Sequence, residues 1–341
     1  MRCVFILPGT PAFGADADFY IGSAYKYGQL LKRLCTVDVL RDGSENLEAR
    51  VAAADFCVVR ADRYGHYQTP LRLGVPYLAI AHDLASMRDP ECDVSGDECE
   101  LLENAAAVLF ATTPLQEYAA ERYRLPKPQA VIGLRPLARD LDFTPLPKLA
   151  GRTLVYAGGL VPTHQASTAW GYRANLQVFQ SAIAGGWAVH LYPTRVRPQV
   201  DSEYSGGGCI MHAPVPERQL LAELSQYTAG LQVFNVDGTT QFSDRYARLA
   251  WPNKTWLYLA AGIPTVGVNP GFEATRFYNG RWGIVLRSHR ELRRLRERDL
   301  PPVSEKTRRR EVADRDLPVL GKLLEPFVTP RRRRRVTLAP H

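Results

Sequence analysis

Short apolar runs recur along this 341-residue chain, and the segments between them space their apolar residues three and four apart. The runs occupy residues 2–7, 37–40, 56–59, 77–80, 107–110 and 130–132, then 153–157, 188–192, 209–212, 230–234, 265–268 and 283–286. Helical spacing falls at 20–34, 45–54, 67–73, 98–106 and 114–123, and again at 173–184, 217–226 and 319–327. Strands that alternate with helices make βαβ units, and βαβ units make parallel sheets. The pattern pauses once. Residues 136–151 contain four prolines or glycines, mixed charge and no periodicity, which is the composition of a linker. The expected organisation is α/β, with two tandem doubly wound Rossmann-like domains at 1–135 and 152–328, the linker 136–151 between them, and a basic tail at 329–341. The length accommodates two ordinary domains, and a hydrophobic content of 45% supplies their cores.

The net charge of +8 is unevenly spread. From Arg287 onward there are 17 basic and 8 acidic residues, against 26 basic and 27 acidic before it. Two clusters dominate, Arg308-Arg309-Arg310 and Arg331 to Arg335. A basic end of this kind points to a polyanionic partner such as DNA, RNA or an anionic membrane face, or else to a solvated terminus. No run approaches 18 apolar residues, and the N-terminal run is too short for a signal peptide. Six cysteines are scattered at 3, 35, 57, 92, 99 and 209. Cys92 and Cys99 form the closest pair, without the second pair or histidine cluster that a zinc site uses. These features fit a reduced, cytoplasmic protein.

The sharpest motif is Trp251-Pro-Asn-Lys-Thr-Trp-Leu-Tyr-Leu-Ala-Ala-Gly-Ile-Pro-Thr-Val-Gly-Val268. Pro252 suits a first helical position, Trp256, Leu259 and Ala260 share a face, and Gly262 with Pro264 stops the helix before a buried strand. Pro252, Lys254, Tyr258, Leu259, Ala260, Ala261, Gly262 and Pro264 resemble the signature in the C-terminal domain of GT-B glycosyltransferases, especially the GT4-like ones. Where that family carries a Glu-x7-Glu pair, whose second Glu binds the donor ribose, this chain has Leu249 and Leu257. The resemblance implies two doubly wound domains facing across a cleft and a nucleotide-sugar donor. The donor diphosphate would meet a helix N-terminus, whose free N–H groups and dipole favour anions. It implies no cofactor and no obligatory metal, since helix dipoles and cations support the leaving diphosphate in that family. An isomerase acting on a nucleotide-sugar, and a binding protein that keeps the fold without catalysis, remain as alternatives.

Ligands of doubly wound sheets sit at the C-terminal ends of strands, which selects the candidate residues. His82 and Asp83 directly follow the strand at 77–80, where GT4-like enzymes often have a histidine. An imidazole there can hydrogen-bond a hydroxyl or move a proton near neutral pH. The loop after the first strand offers Gly14, for close backbone approach on the acceptor side. It also offers Asp16 and Asp18, which fit either a base for an attacking hydroxyl or caps of the following helix. Gly158-Gly159 resembles the family's glycine loop beside the diphosphate. Arg173 and Lys254 are the candidate cations, with Asn253 at the same helix start. Asn235 and Asp237 follow the strand at 230–234 and are candidates for the ribose or base. The DNA glucosyltransferases of phages share the GT-B fold and a compact size, so DNA carrying hydroxymethylated bases is one candidate acceptor, beside saccharides and proteins.

Overall fold

The first apolar run forms β1 (Arg2–Leu7), in which every residue after Arg2 is buried. An apolar strand without polar alternation belongs inside a sheet covered on both faces. The structure, a computed structural model, describes residues 1–7, 23–61, 67–87, 96–168, 170–234 and 241–328. Gly14, Asp16, Asp18, Asn235, Asp237 and the tail from residue 329 lie outside the described residues.

The chain divides into two compact units. The first holds residues 1–86 and 91–133 together with the chain from Arg315. Its sheet contains β1, β2 (Thr36–Arg41), β3 (Phe56–Arg60), β4 (Tyr77–Ala81), β5 (Ala107–Phe110) and β6 (Gln129–Val131), in the order β2-β1-β3-β4-β5-β6 with every pairing parallel. The half-exposed edge strand β2 carries Asp38, whose carboxylate is paired with Arg2 and Arg50. The C-terminal helix Leu317–Val328 belongs to this unit rather than to the domain expected to end at 328. It buries Leu320, Leu323, Leu324 and Phe327, packs along β5 and β6, and stacks Phe327 on Phe56 at 4.6 Å.

The second unit comprises residues 134–314 with 87–90. Its strands β7 (Thr153–Ala157), β8 (Ala188–Tyr192), β9 (Ile210–Met211), β10 (Ala229–Gln232), β11 (Thr265–Val268) and β12 (Gly283–Leu286) run in the order β12-β11-β10-β7-β8-β9, again all parallel. The doubly wound α/β architecture expected of both halves is therefore present.

The motif helix is Lys254–Ala260, two residues later than Pro252. Pro252 instead accepts the Thr255 N–H in the preceding turn. Gly262, at φ +75°, closes the helix: its N–H bonds Leu259, and the Ile263 N–H bonds Tyr258. That pair of bonds is a Schellman motif and explains the Gly-x-Pro spacing. The helix is buried on nearly all sides, not on one face. Trp256 stacks against Trp251 at 5.6 Å, meets Phe277 edge-on at 5.4 Å and packs against Trp282 at 5.7 Å. The Tyr258 hydroxyl accepts the Ala157 N–H at 3.1 Å and donates to the Leu231 carbonyl at 3.0 Å, tying the helix to β7 and β10. A side chain at Gly230 would meet the Tyr258 ring at 2.3 Å, so β10 needs glycine there. Leu257, in place of the family's Glu, packs against the cluster formed by Leu221, Leu224 and Tyr227, which favours an apolar residue.

The Arg308–Arg310 cluster is committed within the second unit. Arg308 donates to the Ala260 carbonyl at the end of the motif helix and pairs with Glu305; Arg309 pairs with Glu305, and Arg310 with Glu311. Three arginines face two glutamates here, and Glu311 is shared with Arg135, so the cluster keeps net positive charge. Cys3, Cys57 and Cys209 are buried free thiols, with burial pushing Cys57 up to about 12. No helix among the described residues is long and apolar enough to cross a membrane.

Candidate functional site

The strand order of the second sheet reverses between β7 and β10, and a crevice opens at such a point outside the carboxyl ends of the strands. Gly158-Gly159 leaves β7 there, and Phe234 lies just beyond β10. Gly158 has φ +152°, and a Cβ on it would lie 3.2 Å from Lys254 Nζ. A Cβ on Gly159 would lie 2.9 Å from Arg173 Nη1. The loop therefore lets bare backbone approach two cations at once. The structure brings together Gly158, Gly159, Arg173 and Lys254, four residues spread over about a hundred positions of sequence.

Arg173 is not on the expected helix, which begins only at Leu176. It ends the turn Gly171–Arg173, and the turn aims its guanidinium at the glycine loop instead of at solvent. A side chain at Gly171 would collide with the Ala166 carbonyl at 1.8 Å, so this turn too depends on a glycine. The guanidinium lies over Trp170 at 4.9 Å and Tyr172 at 5.2 Å. Tyr172 continues into an aromatic wall, 4.4 Å from Tyr246 and 5.5 Å from Phe234.

Lys254 is only 9% exposed. Its Nζ sits 3.8 Å above the Tyr156 ring, and no carboxylate pairs with it or with Arg173 among the described residues. Burial first, and the Arg173 charge second, hold its ammonium well below the ordinary lysine range. Two neighbouring cations, one buried and one half-buried, with no carboxylate paired to either among the described residues, form a ready anion site. Asn253 precedes the helix with a buried side-chain oxygen that has no hydrogen-bond partner among the described residues, and it does not cap the helix.

Two further residues here escaped the sequence reading. The Tyr156 hydroxyl bonds the Gly159 carbonyl at 3.1 Å and so supports the glycine loop from below. Asn175 is fully buried beside that hydroxyl, yet neither of its amide atoms has a well-formed partner among the described residues. The strand position of Tyr156 hid a hydroxyl that acts three residues away; nothing in the local pattern marked Asn175.

In the first unit, β4 is buried along its whole length and delivers His82 and Asp83 immediately beyond its carboxyl end. Both side chains are buried, at 6% and 8% exposure. Burial above all, then Asp316 and to a lesser degree Asp83, raises the pKa of Tyr27, whose hydroxyl donates to the Ile132 carbonyl.

No family model matches this chain, and no curated protein matches it. Solved structures do. AviGT4, a glycosyltransferase involved in avilamycin A biosynthesis, superposes with a TM-score of 0.61 at 12% identity, over 96% of this chain and 98% of that one. T4 phage BGT, solved with UDP and Mn2+, gives 0.57 at 11% identity over 95% and 100%. A glycosyltransferase from Rickettsia africae gives 0.56 at 10% over 95% and 98%. The fold is GT-B. In this GT-B chain the glycine loop, Arg173 and Lys254 all belong to the second unit, and His82 and Asp83 to the first.

Proposed function

We propose that this protein is a nucleotide-sugar-dependent glycosyltransferase. The observation that carries the reading is the uncompensated pair Lys254 and Arg173 against the Gly158-Gly159 backbone, at the reversal point of the second sheet. Lys254 supplies a point charge and Arg173 a fork to the donor diphosphate, with Asn253 beside them and Asn235, Asp237 and the exposed Trp170 as candidates for the ribose and base. In transfer, the bond from the anomeric carbon to the diphosphate oxygen breaks as a bond forms to the acceptor oxygen. The two cations take up the charge on the leaving nucleoside diphosphate. His82, with Asp83 beside it, receives the proton of the acceptor hydroxyl in the first unit, Asp16 and Asp18 being the other acidic candidates. The reading needs no obligatory metal, and transfer is expected to persist in EDTA.

For the acceptor we propose DNA, on the strength of Arg331 to Arg335, five arginines without an intervening acid. Phosphate contacts from such a segment are independent of sequence. The test is incubation with a panel of UDP-, GDP- and ADP-sugars, with and without DNA containing hydroxymethylated bases. Nucleoside diphosphate release that depends on acceptor, with the sugar recovered on it, supports transfer. A changed sugar still attached to nucleotide indicates an isomerase, and binding without turnover indicates a non-catalytic protein.

A further inference from the structure

Three residues beyond Asp83, in the turn Ala85–Met87, Ser86 is fully buried and bonds twice to one carboxylate. Its Oγ donates to Glu98 Oε1 at 2.6 Å, and its backbone N–H donates to Glu98 Oε2 at 3.2 Å. The Tyr123 hydroxyl donates to the same Oε1 at 2.5 Å, and the Tyr118 hydroxyl reaches Ser86 Oγ at 3.3 Å. Glu98 is 1% exposed and forms no ion pair among the described residues. Placing a carboxylate in such surroundings is costly, and an apolar side chain would fill the space at lower cost. Its helix, Gly96–Glu103, is independently fixed: the Tyr77 hydroxyl on β4 donates to Leu101 O at 2.7 Å, and Tyr67 donates to Glu100 at 2.6 Å. Glu98 is thus a rigid acceptor facing the far end of the segment that begins at His82.

We infer that Glu98 is a positioning residue: through Ser86 it fixes the path of residues 82–86 and so the orientation of His82 and Asp83. The inference rests on the reading of His82 as the group that accepts the acceptor proton. Two hydrogen bonds from one residue to one carboxylate set both the position and the rotation of the turn, which hydrophobic packing alone does not. A shift of about 1 Å in a group that moves a proton costs on the order of 100-fold in rate.

The test compares Glu98→Ala, Glu98→Gln, His82→Ala and the double variant Glu98→Ala/His82→Ala in the full chain. A carboxamide can still accept the Ser86 N–H while both hydroxyls turn to accept from its amide, so Glu98→Gln is expected to stay within a few-fold of wild type. Glu98→Ala is expected to lower kcat at least 10-fold with the nucleotide-sugar KM unchanged, and the double variant to be no slower than His82→Ala. Equal kcat in Glu98→Ala and wild type, effects that multiply in the double variant, or a loss matching only the unfolded fraction would overturn the inference. The ring resonances of His82 in 15N NMR give a readout free of turnover. A shift in Glu98→Ala that Glu98→Gln does not show supports positioning, and unchanged resonances overturn it. If no sugar is transferred at all, or His82→Ala keeps full kcat, the functional reading of His82 fails and the NMR comparison alone decides the role of Glu98.

Discussion

The ammonium of Lys254 lies over the Tyr156 ring with a guanidinium for its neighbour, an arrangement that costs the ligand-free protein stability. A lysine whose folded pKa is depressed binds protons less readily folded than unfolded. Its penalty is full below the folded pKa and is relieved as pH climbs towards the ordinary value of 10.5. Lys254→Met, which keeps the stem and removes the charge, is therefore expected to raise the Tm of the ligand-free protein at pH 7 in scanning calorimetry. A Tm lowered by several degrees would mean that the charge is compensated. Gly230 makes the opposite case, of a residue fixed by packing alone. Any Cβ there enters the Tyr258 ring, so Gly230→Ala is expected to cost about 1–3 kcal/mol or more in urea denaturation, and an unchanged midpoint would contradict the packing described.

At the scale of elements, the outer strands β8 and β9 share a polar cluster that the functional reading does not use. His190 Nδ1 lies 2.9 Å from His212 Nε2, the Tyr227 hydroxyl lies 3.4 Å from each, and Tyr192 stacks on His212 while donating to Glu223. Burial, then the His212 charge, pushes His190 down to about 4; burial also lowers His212, against the pull of Glu223. Depressed histidines bind fewer protons folded than unfolded, so stability is lost as pH falls from about 6.5 towards 4. The Tyr192 carbonyl accepts the Gly158 N–H at 3.0 Å, which links this edge to the glycine loop. The Tm is expected to drop over that pH range in wild type and to drop less in His190→Gln; coincident curves would remove the pair from acid sensitivity. Elements of this kind were legible in the sequence when an apolar period ran through them, as in β7, β11 and the Leu176–Ile183 helix. The helix Pro198–Gly206 was not, because its buried anchors reduce to Val200 and Tyr204. Gly158, Gly159 and Lys254 were legible as a set through the motif and the strand-end rule. Asn175 and Glu98 were not, since the groups that give each its setting are distant in sequence or arrive from separate elements.

At the scale of the whole molecule, the alternating pattern was enough to specify two parallel sheets, because βαβ crossovers leave few other topologies. The resemblance left open a final helix that crosses back to the first domain; the apolar face of Leu317–Val328 fits any sheet, and contact with β5 and β6 assigns it. Of the net charge of +9 carried from Arg287 onward, five belong to Arg331 to Arg335. Deleting residues 330–341 is expected to weaken duplex DNA binding and to reduce the slope of log K against log salt by as much as ~4, leaving donor binding intact; a wild-type slope would separate the tail from any nucleic-acid role. The most direct test of the account is calorimetric titration of the full chain with UDP, GDP and ADP, alongside Lys254→Ala. One of the three is expected to bind in a 1:1 ratio, and Lys254→Ala to weaken it by about 1.5–3 kcal/mol, the worth of one hydrogen bond to a charged group. Binding of none of them, or equal affinity in the variant, would contradict a diphosphate site at Lys254 and Arg173.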